Sequence, residues 1–503
     1  MRHNQLFSQL KEQLVKLAYF KHALAVLSWD EEVNMPPKGA AIRAETIGHL
    51  SQTLHDVFTS KKFEALIVPL HRQRERGKLS PKESIVVREV FREWKREKKL
   101  PSAFVKVLAR TVSESHLVWV SAKQKSDFGR FEPYLRKIID LKRQEAQYRR
   151  DKNHLYDALL DTYEPYMSVS EVERILMDLK SFLIPFIQRI KNSKIKTNPH
   201  IFFGKFSPQK QQELNHFVAE KIGFDFHGGR FDASSHPFTS GFHPHDVRFT
   251  TRYHEDDILY SLGSTMHEVG HALYEQGLPV EDFGTPLGES ISLGIHESQS
   301  RLWENIIGRS RVFLRYFYPW LQKEFPQPFR KISLERFYEH FNHVAPSFIR
   351  TEADEVTYNL HIVMRFEMEK SLIEGTLEVQ DLPSAWNAKM KEYFGLKVPN
   401  DTLGVLQDVH WSSGIIGYFP AYTLGNLYSA QFFAAAQRAL PQLDRSIARG
   451  NFEPLNTWLR ENIYIHGKTY TARELVVKVT GESLTSRYFT EYLEEKYGEI
   501  YHL

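Results

Sequence analysis

The sequence contains no cysteine. Disulfide staples, thiolate-bound metal and cysteine nucleophiles are therefore excluded. The same absence fits a reducing cytoplasm. No uninterrupted apolar run reaches the roughly 18 residues that would announce a membrane helix, so no membrane partner is expected. The opening segment is amphipathic and broken by Lys11, Lys16 and Lys21; it lacks the apolar centre of a signal peptide. Neither sign of charge dominates, with 66 basic against 62 acidic residues and a formal net charge of +4. That balance gives no case for nucleic acid or an acidic surface as a partner. A cytoplasmic enzyme is the expectation.

What is present is ordinary globular material. The 503 residues are 42% hydrophobic and 25% charged, ample for a large buried core. Leu10, Leu14, Leu17 and Ala18 recur at helical spacing, as do Phe104, Val107, Leu108 and Val112. Pro36, Pro37, Pro81, Pro101, Pro133 and Pro165 mark helix starts or interruptions. After a break at Asp161–Pro165, Ser168 or Ser170 can cap a helix over 171–194. From Lys196 to Tyr253 the chain is richer in Gly, Pro, His and Phe, and Asp246–Tyr253 reads as a strand. Helical patterns then resume to the C-terminus. The predicted fold is mainly α, with a small sheet beside one central helix. It is read as one unit over 1–503, with an N-terminal helical lobe at roughly 1–195 and a catalytic lobe at 196–503. Neither an internal repeat nor a low-complexity tract is found.

Ser264–Gly277 carries the chemistry. It reads as a helix stopped by Gly277, with His267 and His271 four residues apart. Four residues turn an α-helix by about 400°, so both imidazoles leave one face a turn apart and can share a metal ion. Glu268 lies beside that position, where a carboxylate can take a proton from water activated by the metal. A second helical segment, Gly288–Gln299, supplies carboxylates that a helix–loop–helix can return to the first helix. Glu297 completes the two-histidine, one-carboxylate set of a catalytic zinc site, which leaves a position open for water. Glu289 and His296 are the alternatives by spacing alone.

Several segments in order resemble the carboxypeptidase Taq family of metallocarboxypeptidases. They are His236-Pro-Phe238, Asp246-Val-Arg-Phe-Thr250, His267-Glu-Val-Gly-His271, His296-Glu-Ser-Gln299, Ile349-Arg-Thr-Glu-Ala-Asp-Glu355 and Gly417-Tyr-Phe-Pro-Ala-Tyr422. Trp29-Asp30, Met35-Pro36, Tyr156–Asp161 and Tyr163-Glu-Pro165 extend the likeness through the N-terminal half. Tyr166 departs from it, where the family pattern has glycine. The resemblance strengthens Glu297 as the third ligand. It also implies a helical fold with a deep cleft, zinc with cobalt as a substitute, and a homodimer. The implied reaction removes single residues from peptide C-termini, with broad specificity and discrimination against proline.

A carboxypeptidase must bind a free carboxylate, which suits the planar fork of arginine. Arg350 is the first candidate and Arg248 the second; the bland alternative is an ion pair with a neighbour such as Asp354 or Glu355. Second donors for the oxyanion are His410, Tyr418 and Tyr422, in a Gly-rich stretch that permits close backbone approach. His236 is expected at the cleft, and the strand from Asp246 is expected to offer an edge to an extended peptide. An oligopeptidase or dipeptidase with the same site, and a non-catalytic helical scaffold, are the rival readings. Cleavage ladders and stoichiometric metal separate them.

Overall fold

The computed structural model describes residues 2–150 and 154–503. The N-terminal helices are α1 (Arg2–Val33), α2 (Ala40–Phe58), α3 (Lys61–Glu75), α4 (Pro81–Lys98), α5 (Ser102–Lys125), α6 (Phe128–Arg149), α7 (Leu155–Leu160) and α8 (Val169–Asn192). The starts follow local chemistry. Ser80 with Glu83 and Ser168 with Glu171 form reciprocal capping boxes, so two otherwise unpaired N–H groups are satisfied at each end. Of the two candidate serines, Ser168 is the cap.

After α9 (Pro208–Ile222) comes the sheet: β1 (Gly229–Ala233), β2 (Thr239–His243) and β3 (Asp246–Thr251). β3 lies in the middle, parallel to β1 and antiparallel to β2. Both of its edges are therefore used, and the expectation that this strand offers an edge to a peptide fails. Val247 and Phe249 point into the core while Arg248 is half-buried between them, the two-residue alternation of a strand. β2 packs on the helix that follows, α10 (Ile258–Gly277), which leads to α11 (Leu293–Arg301). A π-helical segment, Leu302–Ile307, prolongs α11 directly.

Hydrophobic burial is split unequally. Leu10, Leu14, Leu17, Phe63, Ile67, Leu70, Val87 and Val90 form a small cluster of α1, α3 and α4 that includes Leu287. A much larger core runs from α5 to the C-terminal helix. Among the described residues, no helix is long and apolar enough to cross a membrane.

Three helices meet at the centre because glycines let them approach. A Cβ on Gly270 of α10 would lie 2.5 Å from the Gln299 carbonyl oxygen of α11. A Cβ on Gly425, in the helix Phe419–Ala439, would lie 2.5 Å from Cγ of Glu297. Gly277 ends α10 as expected, but for another reason. It does not adopt the left-handed conformation of a stop signal; the ring of Tyr464 occupies the space a side chain would need.

Candidate metal centre

His267 and His271 project from one face of α10 towards α11, where Glu297 meets them. Glu297 Oε2 lies 3.8 Å from His267 Nε2 and 3.4 Å from His271 Nε2. Three ligands at about 2.1 Å from a tetrahedral ion are themselves about 3.4 Å apart, so these separations suit a small divalent cation. The three residues form the group of potential ligands found among the described residues.

The surrounding residues orient the imidazoles. Glu304 Oε2 is 2.8 Å from His267 Nδ1. His271 Nδ1 faces the His296 carbonyl at 3.1 Å and its ring nitrogen at 2.6 Å, and His296 Nε2 meets Glu275 at 2.7 Å. Those partners assign the proton of each ligand histidine to Nδ1 and leave the Nε2 lone pair for a metal. His296, an alternative ligand by spacing, is thus a support for His271. Glu289 is drawn off to Lys468 at 2.6 Å and Lys21 at 3.6 Å.

Charge points the same way. Arg301 donates to Glu297 at 2.7 Å and to Glu304 at 3.2 Å. One guanidinium against the carboxylates of Glu268, Glu297 and Glu304 leaves negative charge for a divalent cation to neutralise. Burial opposes every charge here, yet Arg301 and the histidines hold Glu297 well below the usual carboxylate range and Glu304 down to about 2. His267 is pulled down by burial, but Glu297, Glu304 and Glu268 outweigh that and raise it to about 9, so the surplus of carboxylates favours a second proton on this ring, which a divalent cation at Nε2 would replace. Burial, then His296, lowers His271 to about 3. The donor types, spacing and net charge all fit a divalent metal.

Glu268 is buried beside the ligands, one residue from His267. Thr239 Oγ1 of β2 lies 2.6 Å from its Oε2. Burial raises the Glu268 carboxyl above its ordinary range, which suits a group that must accept and return a proton.

The other expected residues divide into two sets. Arg350, His410, Tyr418 and Tyr422 are gathered together. The Arg350 guanidinium stands 4.9 Å from the Tyr422 ring centre, His410 Nε2 is 3.2 Å from Tyr422 Oη, and the Tyr418 and Tyr422 rings are 5.1 Å apart. Arg350 pairs with Asp408 at 3.0 Å through Nε and donates to Tyr358 Oη at 3.0 Å through Nη1. Asp354 and Glu355 are engaged elsewhere, with Thr357 and Lys496 respectively. Burial lowers His410 to about 4, so it stays neutral, and raises Tyr418 to about 12, so its phenol stays a donor.

Arg248 and His236 do not join this group. Arg248 is held by both oxygens of Asp246, at 2.8 and 3.0 Å, and its guanidinium lies over Trp29 and Phe242. The His236 side chain is exposed, and its contact is a carbonyl that accepts from Ser234.

Sequence reasoning passed over Arg301, Glu304, Asp408 and Thr239. The first two were within reach: they fall four and seven residues after Glu297, on one helix face. Thr239 gave no such signal, because only the fold brings β2 to α10.

With this geometry in view, comparison with known proteins decides the family. Residues 9–497 match the carboxypeptidase Taq (M32) metallopeptidase family. The chain belongs to it. Carboxypeptidase 1 of Bacillus subtilis is 39% identical over 488 residues, 97% of each chain. Thermostable carboxypeptidase 1 of Thermus thermophilus is 38% identical, covering 98% of this chain and 99% of its own. The crystal structure of the M32 carboxypeptidase from Deinococcus radiodurans superimposes with a TM-score of 0.95 at 38% identity, over 99% of this chain and all of that one. The chain is a metallocarboxypeptidase with the helical fold of its family.

Proposed function

We propose that this M32 metallocarboxypeptidase releases single C-terminal residues from peptides, with broad specificity and discrimination against proline. The observation that carries the reading is the convergence of His267, His271 and Glu297 beside Glu268, with buried Arg350 in the adjoining cluster. Zinc is the proposed ion, held by the two Nε2 atoms and a Glu297 oxygen, with cobalt as a substitute. When bound, it would polarise the scissile carbonyl and lower the pKa of water.

The protein's residues supply the rest. Glu268, poised by burial, takes a proton from the attacking water and returns it to the leaving amine. Thr239 holds one Glu268 oxygen and so aims the other. Tyr418, Tyr422 and neutral His410 donate to the developing oxyanion. Arg350 binds the terminal carboxylate: Asp408 and Tyr358 occupy Nε and Nη1, and Nη2 remains for a ligand oxygen. Arg248, held by Asp246 and lying over Trp29 and Phe242, serves the fold of the sheet. We further propose a single catalytic unit that works as a cytoplasmic homodimer, with peptides as its substrates.

The test is digestion of an N-blocked peptide followed by mass spectrometry, with and without a chelator. Successive loss of single C-terminal residues, abolished by the chelator, is the expected result. Internal cuts would replace this reading with an oligopeptidase; a pause at proline tests the specificity.

A further inference from the structure

The helix Tyr358–Glu374 is buried along most of its length, and ionisable side chains share that burial. Arg365 and Glu369 stand four residues apart, so they leave one face of the helix a turn apart. Both are fully buried, and both turn to the segment 407–417, which carries His410. Burying such groups is costly unless each is paired and hydrogen-bonded. Glu369 pins the far end of the segment: its oxygens accept from Trp411 Nε1, the Gly417 N–H and Tyr156 Oη, each at 2.9 Å.

Arg365 takes the near end. Its Nε donates to Asp408 Oδ2 at 2.7 Å, and its Nη2 lies 2.6 Å from the same oxygen. Nη2 also donates to Gln407 Oε1, and Nη1 donates to the His361 carbonyl, both at 2.8 Å. The guanidinium lies 4.6 Å from the ring centre of Trp386. All three of its nitrogens are thus engaged.

The two groups that Arg365 holds are the two that hold Arg350. Asp408 Oδ1 takes Arg350 Nε, and Gln407 Oε1 takes the Arg350 backbone N–H, each at 3.0 Å. Gln407 is anchored in turn, its amide donating to the Phe348 carbonyl at 3.0 Å. Burial opposes the charge on Asp408, yet Arg365, and after it Arg350, hold the carboxyl well below its usual range. A carboxylate and a guanidinium left to themselves favour a two-pronged pairing, with parallel N–H groups on both oxygens. Arg365 keeps Oδ2, so Asp408 meets Arg350 through one oxygen only.

We propose that Arg365 is a positioning residue for the terminal carboxylate of the peptide: by holding Asp408 and Gln407 it fixes the Arg350 guanidinium and keeps Nη2 of Arg350 open for a carboxylate oxygen. Arg365 itself is too deeply buried to touch a peptide. The inference rests on the reading of Arg350 as the residue that binds that carboxylate.

The test compares Arg365→Gln with the wild type and with Arg350→Ala, each full length and metal-loaded, on one N-blocked peptide with a free or an amidated C-terminus. Arg365→Gln releases Asp408 to close both oxygens on Arg350. KM for the free peptide should rise at least about tenfold while kcat stays within about twofold, the pattern of lost binding rather than lost chemistry. KM for the amidated peptide should stay near that of the wild type, so the preference for a free terminus shrinks. Arg365→Lys keeps a charge for Asp408 but not the fork that also reaches Gln407, so its preference should fall between the two. It decides the matter if thermal melting and bound metal show that Arg365→Gln does not fold. A folded Arg365 variant with the KM and preference of the wild type overturns the proposal. So does a loss that falls on kcat for both peptides alike, which marks a purely structural residue. If Arg350→Ala loses the preference in the same experiment, either result removes Arg365 alone; if Arg350→Ala keeps it, the reading of Arg350 fails as well.

Discussion

Glu304 Oε2 lies 2.8 Å from Nδ1 of His267, and the same oxygen takes Arg301 Nη1 at 3.2 Å. Glu304 thus joins His267, a candidate metal ligand, to the arginine that also grips the candidate ligand Glu297. Removing it frees the His267 ring to rotate and leaves Arg301 half-paired. Glu304→Ala is expected to weaken metal binding by about 10–100-fold while the protein remains folded. Competition with a chelating dye measures the affinity directly. An unchanged affinity would show that helix geometry alone orients His267.

Close packing of α10 on α11 gives a second prediction. The added Cβ of Gly270→Ala would meet backbone atoms, the Gln299 carbonyl oxygen at 2.5 Å and Ser300 Cα at 2.6 Å. Backbone cannot swing aside as a side-chain tip can. The variant should lose about 1–3 kcal/mol of stability in urea unfolding, the range for overpacked cores. Gly263, on the same helix with nothing within 4 Å, is the control. Gly263→Ala should be neutral or slightly stabilising.

The contrast between such positions explains what the sequence could and could not disclose. His267, His271 and Glu268 were legible because an α-helix converts a spacing of four into a shared face. Glu297 was reachable only as one of several acids until the resemblance singled it out, because the loop between α10 and α11 has no periodicity to read. The helices were legible from their capping serines and apolar repeats. The central place of β3 was not, since strand order depends on contacts between segments far apart in sequence. Arg248 illustrates the same limit. Its position in a family motif suggested a substrate contact, whereas its partners, Asp246 two residues away and Trp29 of α1, emerge only when the sheet is assembled.

Arg350 and Arg248 make a third test because their surroundings differ. Arg350→Ala should lower kcat/KM on peptides with a free C-terminus by about 100-fold, within the 2–5 kcal/mol range for truncating a buried, hydrogen-bonded charge. It should also shrink the preference for free over amidated termini. Arg248→Ala should leave that preference intact and lower the melting temperature instead, since it removes the cover of Trp29 and Phe242. Equal discrimination by Arg350→Ala and wild type would remove Arg350 from the carboxylate site.

The last prediction concerns Glu164, which is fully buried in the turn before Tyr166. Its Oε1 accepts the Gly294 N–H at the start of α11, one turn before Glu297, and the Ser292 hydroxyl lies near the carboxyl without reaching good hydrogen-bond geometry to Oε2. Burial raises this carboxyl from 4.5 to about 7, against the pull of the Gly294 and Ser292 donors. A carboxyl raised in the folded state binds its proton more tightly there than in the unfolded chain. Its contribution to stability is therefore complete below about pH 4.5 and is lost as the pH rises through about 7. Glu164→Gln keeps an oxygen for Gly294 and cannot ionise. Relative to that variant, the wild type should lose stability on the order of 3 kcal/mol between pH 4.5 and 8, since a tenfold difference in proton affinity between the folded and unfolded chain is worth about 1.4 kcal/mol. Urea unfolding of both proteins across that interval measures the difference. A constant gap would mean that Glu164 is ionised throughout, with its charge carried by the N-terminus of α11.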